Sequence, residues 1–443
     1  MRSKRASLIA IFMALIVLIL SLGVLGASSF GVFSPPYGTL DPEEYALPLP
    51  ETKSPDPGFD DIDPSLTLDK AALQQNLMAL SRTSASAFSF SVWDLQGTQL
   101  AALEPTTTRV PASSMKSLTS MAVLAAYGSN HRFPTTVVPS ATGIVLVGGG
   151  DPYLTGKDRF HPWQAHINDL ADQVVEKLAA QGTTSVTLGY DDSLFSGTGW
   201  APTWLASFGA DVAPITALSV DPKVSNSANT SALAANAFAA VLASKGIKVT
   251  ATRSEKAPQA DPLGVVKSVP LGLIVQRAME NSDNFATEVL FRHVAIAAGL
   301  AGSHQGGQQA LESYLQSVGL WAPGMAVHDG SGLSLQNRVS TDVFAKAMNI
   351  ALKDPQLSDV IRGLPVAGVE GTLTSRFDDA AEFPGRGVVR AKTGTHYKER
   401  SLTGIVQTQS GAVVTFSFLV EGITNHAAAL NWLDRAAAIL ASS

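Results

Sequence analysis

Strand-like runs near both ends of the chain, helical runs between and beyond them, and a middle stretch of different texture predict an α+β fold. The expected form is an antiparallel sheet flanked by helices and interrupted by an inserted smaller domain. Phe88, Phe90 and Val92 alternate with polar residues at period two, and Gln99–Leu103 follows a turn containing Gly97, which is a β-hairpin signature. Gly387–Lys392, Ser401–Thr408 and Ala412–Val420 form three more strand-like runs near the other end. A sheet assembled from the two termini follows. Residues 136–258, with short pieces such as Gly143–Val147 and Val186–Tyr190, read as the insertion.

In chain order, Arg2, Lys4 and Arg5 precede an apolar run from Ala6 to Leu25. A basic flank before such a run predicts an N-terminus held in the cytoplasm and a chain sent outward. The run is long enough to span a bilayer. Residues 1–26 are therefore expected to be a signal peptide or membrane anchor, with retention favoured over cleavage at Val24-Leu25-Gly26. Residues 27–65 are expected to be a Pro-rich acidic linker, since residues 34–64 hold eight prolines and eight acids against Lys53. Such a spacer, at roughly 3.1 Å per residue, reaches on the order of 100 Å. The main domain is expected over 66–135 and 259–443, with 136–258 nested inside it.

Within that domain Leu66–Ser81 reads as a helix. A second begins near Ser113 after Pro111, with Met115, Leu118, Ala122 and Ala125 at helical spacing and Gly128 at its end. Leu271–Glu280 and Ala286–Ala297 are helical on either side of a short polar loop, and Asn425–Leu440 closes the chain as an Ala/Leu-rich helix.

Composition removes several classes of function. In 443 residues, 45% are hydrophobic and 15% charged, which suits a globular protein. The net charge is −6 with no broad basic stripe, so nucleic acid is not an expected partner. Absence of cysteine excludes disulfides, thiol catalysis and cysteine-based metal sites. His161 and His166 are five apart, a poor spacing for shared ligation, so no metal and no cofactor is expected. Gly148-Gly149-Gly150-Asp151 lacks the Gly-Lys-Ser/Thr of a phosphate loop and reads as a turn, as does His328-Asp329-Gly330-Ser331-Gly332.

The chemistry lies in three motifs taken together. Ser113 and Lys116 are three apart at a helix start and share a face, so a neutral amine can take the proton of a serine hydroxyl. Lysine ordinarily titrates near 10.4, and a shift of about 3 units is needed. Burial and a second cation, for which Lys392 is the candidate, can supply it together. In Ser282-Asp283-Asn284, Ser282 could relay a proton to a leaving amine, and Asn284 could hold a substrate amide or the lysine, although these residue types also cap helices. Lys392-Thr393-Gly394-Thr395 ends a strand in which Gly394 allows close approach of a ligand, and the Thr395 N–H can complete an oxyanion hole begun by that of Ser113.

These motifs, in this order, resemble those of the serine D-alanyl-D-alanine carboxypeptidase/endopeptidase family, the class C low-molecular-mass penicillin-binding proteins of the penicillin-binding protein 4 group. The similarity runs from about residue 68 to 440. It includes Pro111-Ala112-Ser113, Gly148-Gly149-Gly150-Asp151-Pro152, Asp192-Ser193-Leu194-Phe195, Ala217-Leu218-Ser219-Val220-Asp221, Asp329-Gly330-Ser331-Gly332-Leu333-Ser334 and Gly371-Thr372-Leu373. The resemblance implies a β-lactamase/transpeptidase-like domain carrying an insertion, located outside the cytoplasm. It implies acylation of Ser113 by peptidoglycan stem peptides ending in D-Ala-D-Ala, with Lys116 as base and Ser282 passing a proton to the departing D-alanine. Lys392, Thr393 and Thr395 would bind the carboxylate, and β-lactams would inhibit by stalling on Ser113. Three features depart from the family: a short stretch between Ser113 and Ser282, Leu335 where a basic residue often follows the serine, and His396-Tyr397-Lys398-Glu399-Arg400 after Thr395. A β-lactamase is disfavoured by the insertion and by the lack of a Glu-x-x-Leu-Asn-like segment before Lys392. A non-catalytic peptidoglycan- or antibiotic-binding module is disfavoured by the intact motifs.

Overall fold

The computed structural model describes residue 66, residues 68–222 and residues 229–443. The segments expected to form an anchor (1–26) and a linker (27–65) lie outside the described residues. No helix among the described residues is long and apolar enough to cross a membrane.

The first helix, Lys70–Ala79, is shorter than the expected Leu66–Ser81, because the Asp69 carboxylate accepts from the N–H groups of Ala71 and Ala72 and fixes the start there. Strands β1 (Ala85–Asp94) and β2 (Gln99–Leu103) form the expected hairpin. A 3-10 turn, Ala112–Ser114, leads into the helix Met115–Tyr127, which Gly128 ends at φ +74. Then come β3 (Pro134–Ser140), β4 (Gly143–Val147), β5 (Ser185–Asp191), β6 (Lys248–Ser254) and β7 (Gly264–Lys267). After four longer helices, Leu271–Glu280, Asn284–Ala297, His304–Ser317 and Thr341–Lys353, the chain returns through β8 (Val389–Thr395), β9 (Glu399–Gln407) and β10 (Val413–Ile423). The helix His426–Ala441 closes it, capped by Asn425.

The strands sort into two five-stranded sheets. The first has the order β2-β1-β10-β9-β8 and is antiparallel throughout. It is the sheet from both termini, with β1 paired to β10 from Ala85↔Ile423 to Asp94↔Val414. On one face Phe90, Val92, Phe416 and Phe418 pack against Trp432, Leu433, Ala436 and Ala437 of the last helix. Alanines there let the helix lie close, and Trp432 meets Phe88 edge-on with ring centroids 5.0 Å apart. A separate core joins Met115, Leu118 and Met121 to Leu290, Phe291, Phe344 and Met348, so the helix that follows Ser113 is buried among the others. The second sheet, β6-β5-β4-β3-β7, mixes parallel and antiparallel pairs. It packs Val137, Ile144, Leu146 and Leu188 on the helices Ile167–Ala180 and Thr230–Ser244.

Close backbone contacts hold the turn that carries Ser113. Gly332 has φ +85, and a Cβ there would stand 1.9 Å from the carbonyl oxygen of Ala112. Ala112 itself sits at φ +47, a left-handed conformation that costs a non-glycine residue about 1 kcal/mol or more. Gly332→Ala is therefore expected to destabilise the fold by more than about 1 kcal/mol. The urea-unfolding midpoint measures it, and an unchanged midpoint would show that this approach is slack.

Candidate active site

Lys116 sits one helical turn after Ser113, and its side chain is fully buried. Its Nζ donates to Ser113 Oγ at 3.1 Å, to Asn284 Oδ1 at 2.7 Å and to the Ser331 carbonyl at 2.7 Å. Three donors thus meet three acceptors, which matches what an ammonium offers. Burial pulls the amine down to about 8, while Asp329, Glu288 and Asp283 pull the other way. Burial is the leading cause that lowers it, and the charges of Lys116 and Lys392 repel one another. Lys392 is fully buried and held well below the usual lysine range by desolvation first and by the Lys116 charge second.

Each acceptor is itself held. Asn284 opens the helix Asn284–Ala297, and its Nδ2 donates to the Asp211 carbonyl at 3.2 Å, which turns Oδ1 toward the lysine. The helix cap is Asp283, whose Oδ1 accepts from Ala286 N, so the capping and catalytic readings of this loop fall on different residues. Glu288, one turn beyond Asn284, accepts from Gly330 N at 2.9 Å and Ser331 N at 2.6 Å. It fixes the residue whose carbonyl receives Lys116. Burial and the nearby Asp329 raise Glu288 well above the usual carboxyl range. Asp329, also buried, accepts from Gly332 N, Ser334 N, Asn337 Nδ2 and Trp204 Nε1 between 2.6 and 2.9 Å. The segment 328–332 is a turn, as expected, and it supplies one of the lysine's acceptors.

Ser113, Ser282, Asn284, Thr393 and Thr395 all line one cavity of about 410 Å³. Phe208, Asp211, Leu333, Thr372, His396 and two arginines, Arg376 and Arg400, complete much of its wall. Ser282 holds φ +56, so the cavity has a second strained residue besides Ala112. Three expected site residues are not in the wall: Lys116, which is buried beneath Ser113, and Lys392 and Gly394. Lys392 donates Nζ to the Thr393 carbonyl at 2.9 Å and is buried. Gly394 is glycine for a reason other than ligand approach: a Cβ there would lie 2.0 Å from Ser401 Oγ and 3.0 Å from Pro111 O. Its missing side chain lets β8 press against the turn that carries Ser113.

Sequence reasoning did not single out Glu288, the Ser331 carbonyl, Arg376 or Arg400. The i, i+4 spacing of Asn284 and Glu288 was a usable signal for the first. The others depend on tertiary packing. No cluster of metal-ligating side chains occurs among the described residues.

Residues 70–226 and 222–443 match the D-Ala-D-Ala carboxypeptidase 3 (S13) family. A carboxypeptidase of Mycobacterium tuberculosis is 36% identical over 70% of this chain and 70% of its own. The carboxypeptidase DacB of Mycolicibacterium smegmatis is 30% identical over 100% of this chain and 98% of its own. Among solved structures, penicillin binding protein 4 of Haemophilus influenzae superposes with TM-score 0.71 at 20% identity, over 85% of this chain and all of that one. An antiparallel sheet built from both termini, a serine beside a buried lysine, and a family match over nearly the whole described chain lead to one statement: this chain belongs to the D-Ala-D-Ala carboxypeptidase 3 (S13) family.

Proposed function

We propose that Ser113 is the nucleophile with which this family member cleaves the terminal D-alanine from peptidoglycan stem peptides. The observation that carries the reading is the 3.1 Å contact between Lys116 Nζ and Ser113 Oγ, made by an amine whose other contacts are an amide oxygen and a backbone carbonyl. Neutral Lys116 takes the hydroxyl proton as Ser113 Oγ attacks the carbonyl of the penultimate D-alanine. The backbone N–H groups of Ser113 and Thr395 receive the developing oxyanion. Ser282 hands a proton to the departing amine, D-alanine leaves, and water then frees the serine by the same base. Asn284 holds Lys116 on the hydroxyl. Lys392 acts at a distance, since a cation beside Lys116 disfavours protonation of both. Thr393 and Thr395 offer hydroxyls to the peptide terminus, and Gly394 keeps their strand against the nucleophile turn.

A β-lactam presents the same reactive carbonyl and would remain on Ser113 as a slow ester. A crystallised β-lactam complex of Haemophilus penicillin binding protein 4, which shares the fold, supports this reading. Action on wall peptides puts the folded part outside the cytoplasm, with residues 1–26 as signal or anchor and 27–65 as spacer. We read 136–258 as an insertion in a catalytic domain formed by 66–135 and 259–443; the second sheet, drawn from Pro134–Lys267, supports it with slightly wider bounds. A cross-linked stem-peptide dimer, offered to the same enzyme, reports whether the leaving amine can belong to a second stem.

Two outcomes test the mechanism. Incubation with benzylpenicillin should add one drug mass to a peptide containing Ser113, and Ser113→Ala should lose both the adduct and D-alanine release, by about 10³-fold or more. An adduct on any other side chain overturns the assignment. Because burial lowers the Lys116 amine, it loses its proton as pH rises through about 8. The value of kcat/KM should then climb with pH, from roughly a tenth of its limit one unit below that midpoint. A flat profile from pH 6 to 9 would remove Lys116 as the base.

A further inference from the structure

The loop between the helices Leu271–Glu280 and Asn284–Ala297 has open space on both sides. Ser282 and Asn284 line the cavity that holds Ser113, whereas Asp283 lines a second cavity of about 250 Å³ with Tyr153, Phe160, Arg277 and Asn281. Packing alone is then a weak hold on Ser282 at φ +56 and on Asn284 against Lys116. Hydrogen bonds supply the rest. Ser282 N donates to the Met279 carbonyl and Asp283 N to the Ala278 carbonyl, which ties the loop to the helix before it. Thr287 Oγ1 donates to the Asp283 carbonyl at 2.7 Å and ties it to the helix after. The part of the chain that carries the second sheet adds ties of its own. The Asp211 carbonyl receives Asn284 Nδ2, and the Tyr153 hydroxyl donates to Asp283 Oδ2 at 3.2 Å.

Tyr153 follows β4 and is mounted stiffly. Its N–H donates to Asp151 Oδ1 at 2.9 Å, and its carbonyl accepts from Gln164 Nε2 at 2.7 Å. Its ring meets Phe160 edge-on with centroids 5.6 Å apart, and the Arg277 guanidinium lies over both rings. Burial and the Asp283 charge hold the phenol well above its usual range, so the hydroxyl stays a donor throughout the working pH. Its partner has two oxygens with two tasks. Asp283 Oδ1 caps the helix through Ala286 N, and Oδ2 takes the Tyr153 hydroxyl. With both oxygens engaged the side chain has one orientation, and its backbone, which leads from Ser282 into Asn284, is fixed with it. We propose that Tyr153 is a positioning residue for acyl transfer, whose hydroxyl clamps Asp283 and so holds Ser282 and Asn284 in the geometry that Ser113 and Lys116 require. This rests on Ser113 being the acylated residue. The part of the chain that carries the second sheet then serves the reaction from outside the cavity, through a loop that separates two cavities.

The test uses the full chain and benzylpenicillin, with the acylation rate constant and the affinity of the preceding non-covalent complex read separately by stopped flow. It is run near pH 9, above the Lys116 midpoint of about 8, where losing the Asp283 charge does not confound the comparison. Tyr153→Phe keeps the ring against Phe160 and removes only the hydroxyl. It should lower the rate constant about tenfold and leave the affinity within about twofold. Asp283→Ser keeps a capping oxygen and removes the acceptor of the hydroxyl, and its rate constant should fall at least as far. In that background Tyr153→Phe should cost less than about twofold more, because the hydroxyl acts through the carboxylate. An unchanged rate constant in Tyr153→Phe, a loss carried by affinity instead, or the full loss repeated in the Asp283→Ser background would each overturn the proposal. Should Asp283→Ser fail to fold, the split between rate constant and affinity in Tyr153→Phe decides. A wild-type adduct away from Ser113 defeats the acyl-transfer reading, whereas an adduct on Ser113 that forms at an unchanged rate in Tyr153→Phe defeats this proposal alone.

Discussion

A buried amine with three fixed acceptors organises this molecule's chemistry. Taking an ammonium out of water costs several kcal/mol, of order, unless its protons find partners. Lys116 finds them in Ser113, Asn284 and Ser331, which come from three distant parts of the chain. The lysine therefore acts as a fastener: the turn that carries Ser113, the start of the helix Asn284–Ala297 and the turn 328–332 close on one nitrogen. Burial pushes the amine toward neutrality, and Asp329, Glu288 and Asp283 push back. An amine left near 8 by that contest accepts a proton readily and still gives it up near neutral pH.

Rigidity around the amine has a visible source in the backbone. Ala112, immediately before Ser113, and Ser282, in the same cavity wall as Ser113, both hold positive φ. Neither residue type favours it, so the surrounding contacts must hold them there. Gly332 and Gly394 show how: each lacks a Cβ where the turn at Pro111–Ala112 presses in, one from the helical side and one from β8. The serine is thus gripped between layers. Its position follows from the packing of helix and sheet more than from the helix that carries Lys116.

Much of this was legible in the sequence. Local patterns gave the hairpin, the terminal sheet, the two helices flanking Ser282 and the closing helix, because periodicity and caps are written over a few residues. Ser113, Lys116, Ser282, Asn284, Thr393 and Thr395 converge because the motifs name chemistry that works only when they meet. Other features resisted for physical reasons. Glu288 reads as one more helical acid until the Gly330 and Ser331 peptides arrive from forty residues away. Gly394 reads as ligand clearance until Ser401 is placed behind it. Lys392 and Arg400 are both cations beside one strand, and only the direction of each side chain separates them. Lys392 alternates inward to the core and Arg400 lies on the cavity face, a distinction fixed by register across the β8–β9 hairpin.

That register separates two tasks that a motif reading merges. Lowering an amine requires that it be dry, because desolvation is what disfavours its charge; Lys116 and Lys392 are both fully buried. Meeting a ligand requires side chains that reach the cavity, and Thr393 and Thr395 reach it where Lys392 does not. Alternation along β8 divides the motif accordingly, with the lysine turned inward and the two threonines toward the cavity. The geometry of β8 and β9 sets the distance between the two functions, and the pairing of β9 with β10 and of β10 with β1 holds that geometry across the whole sheet.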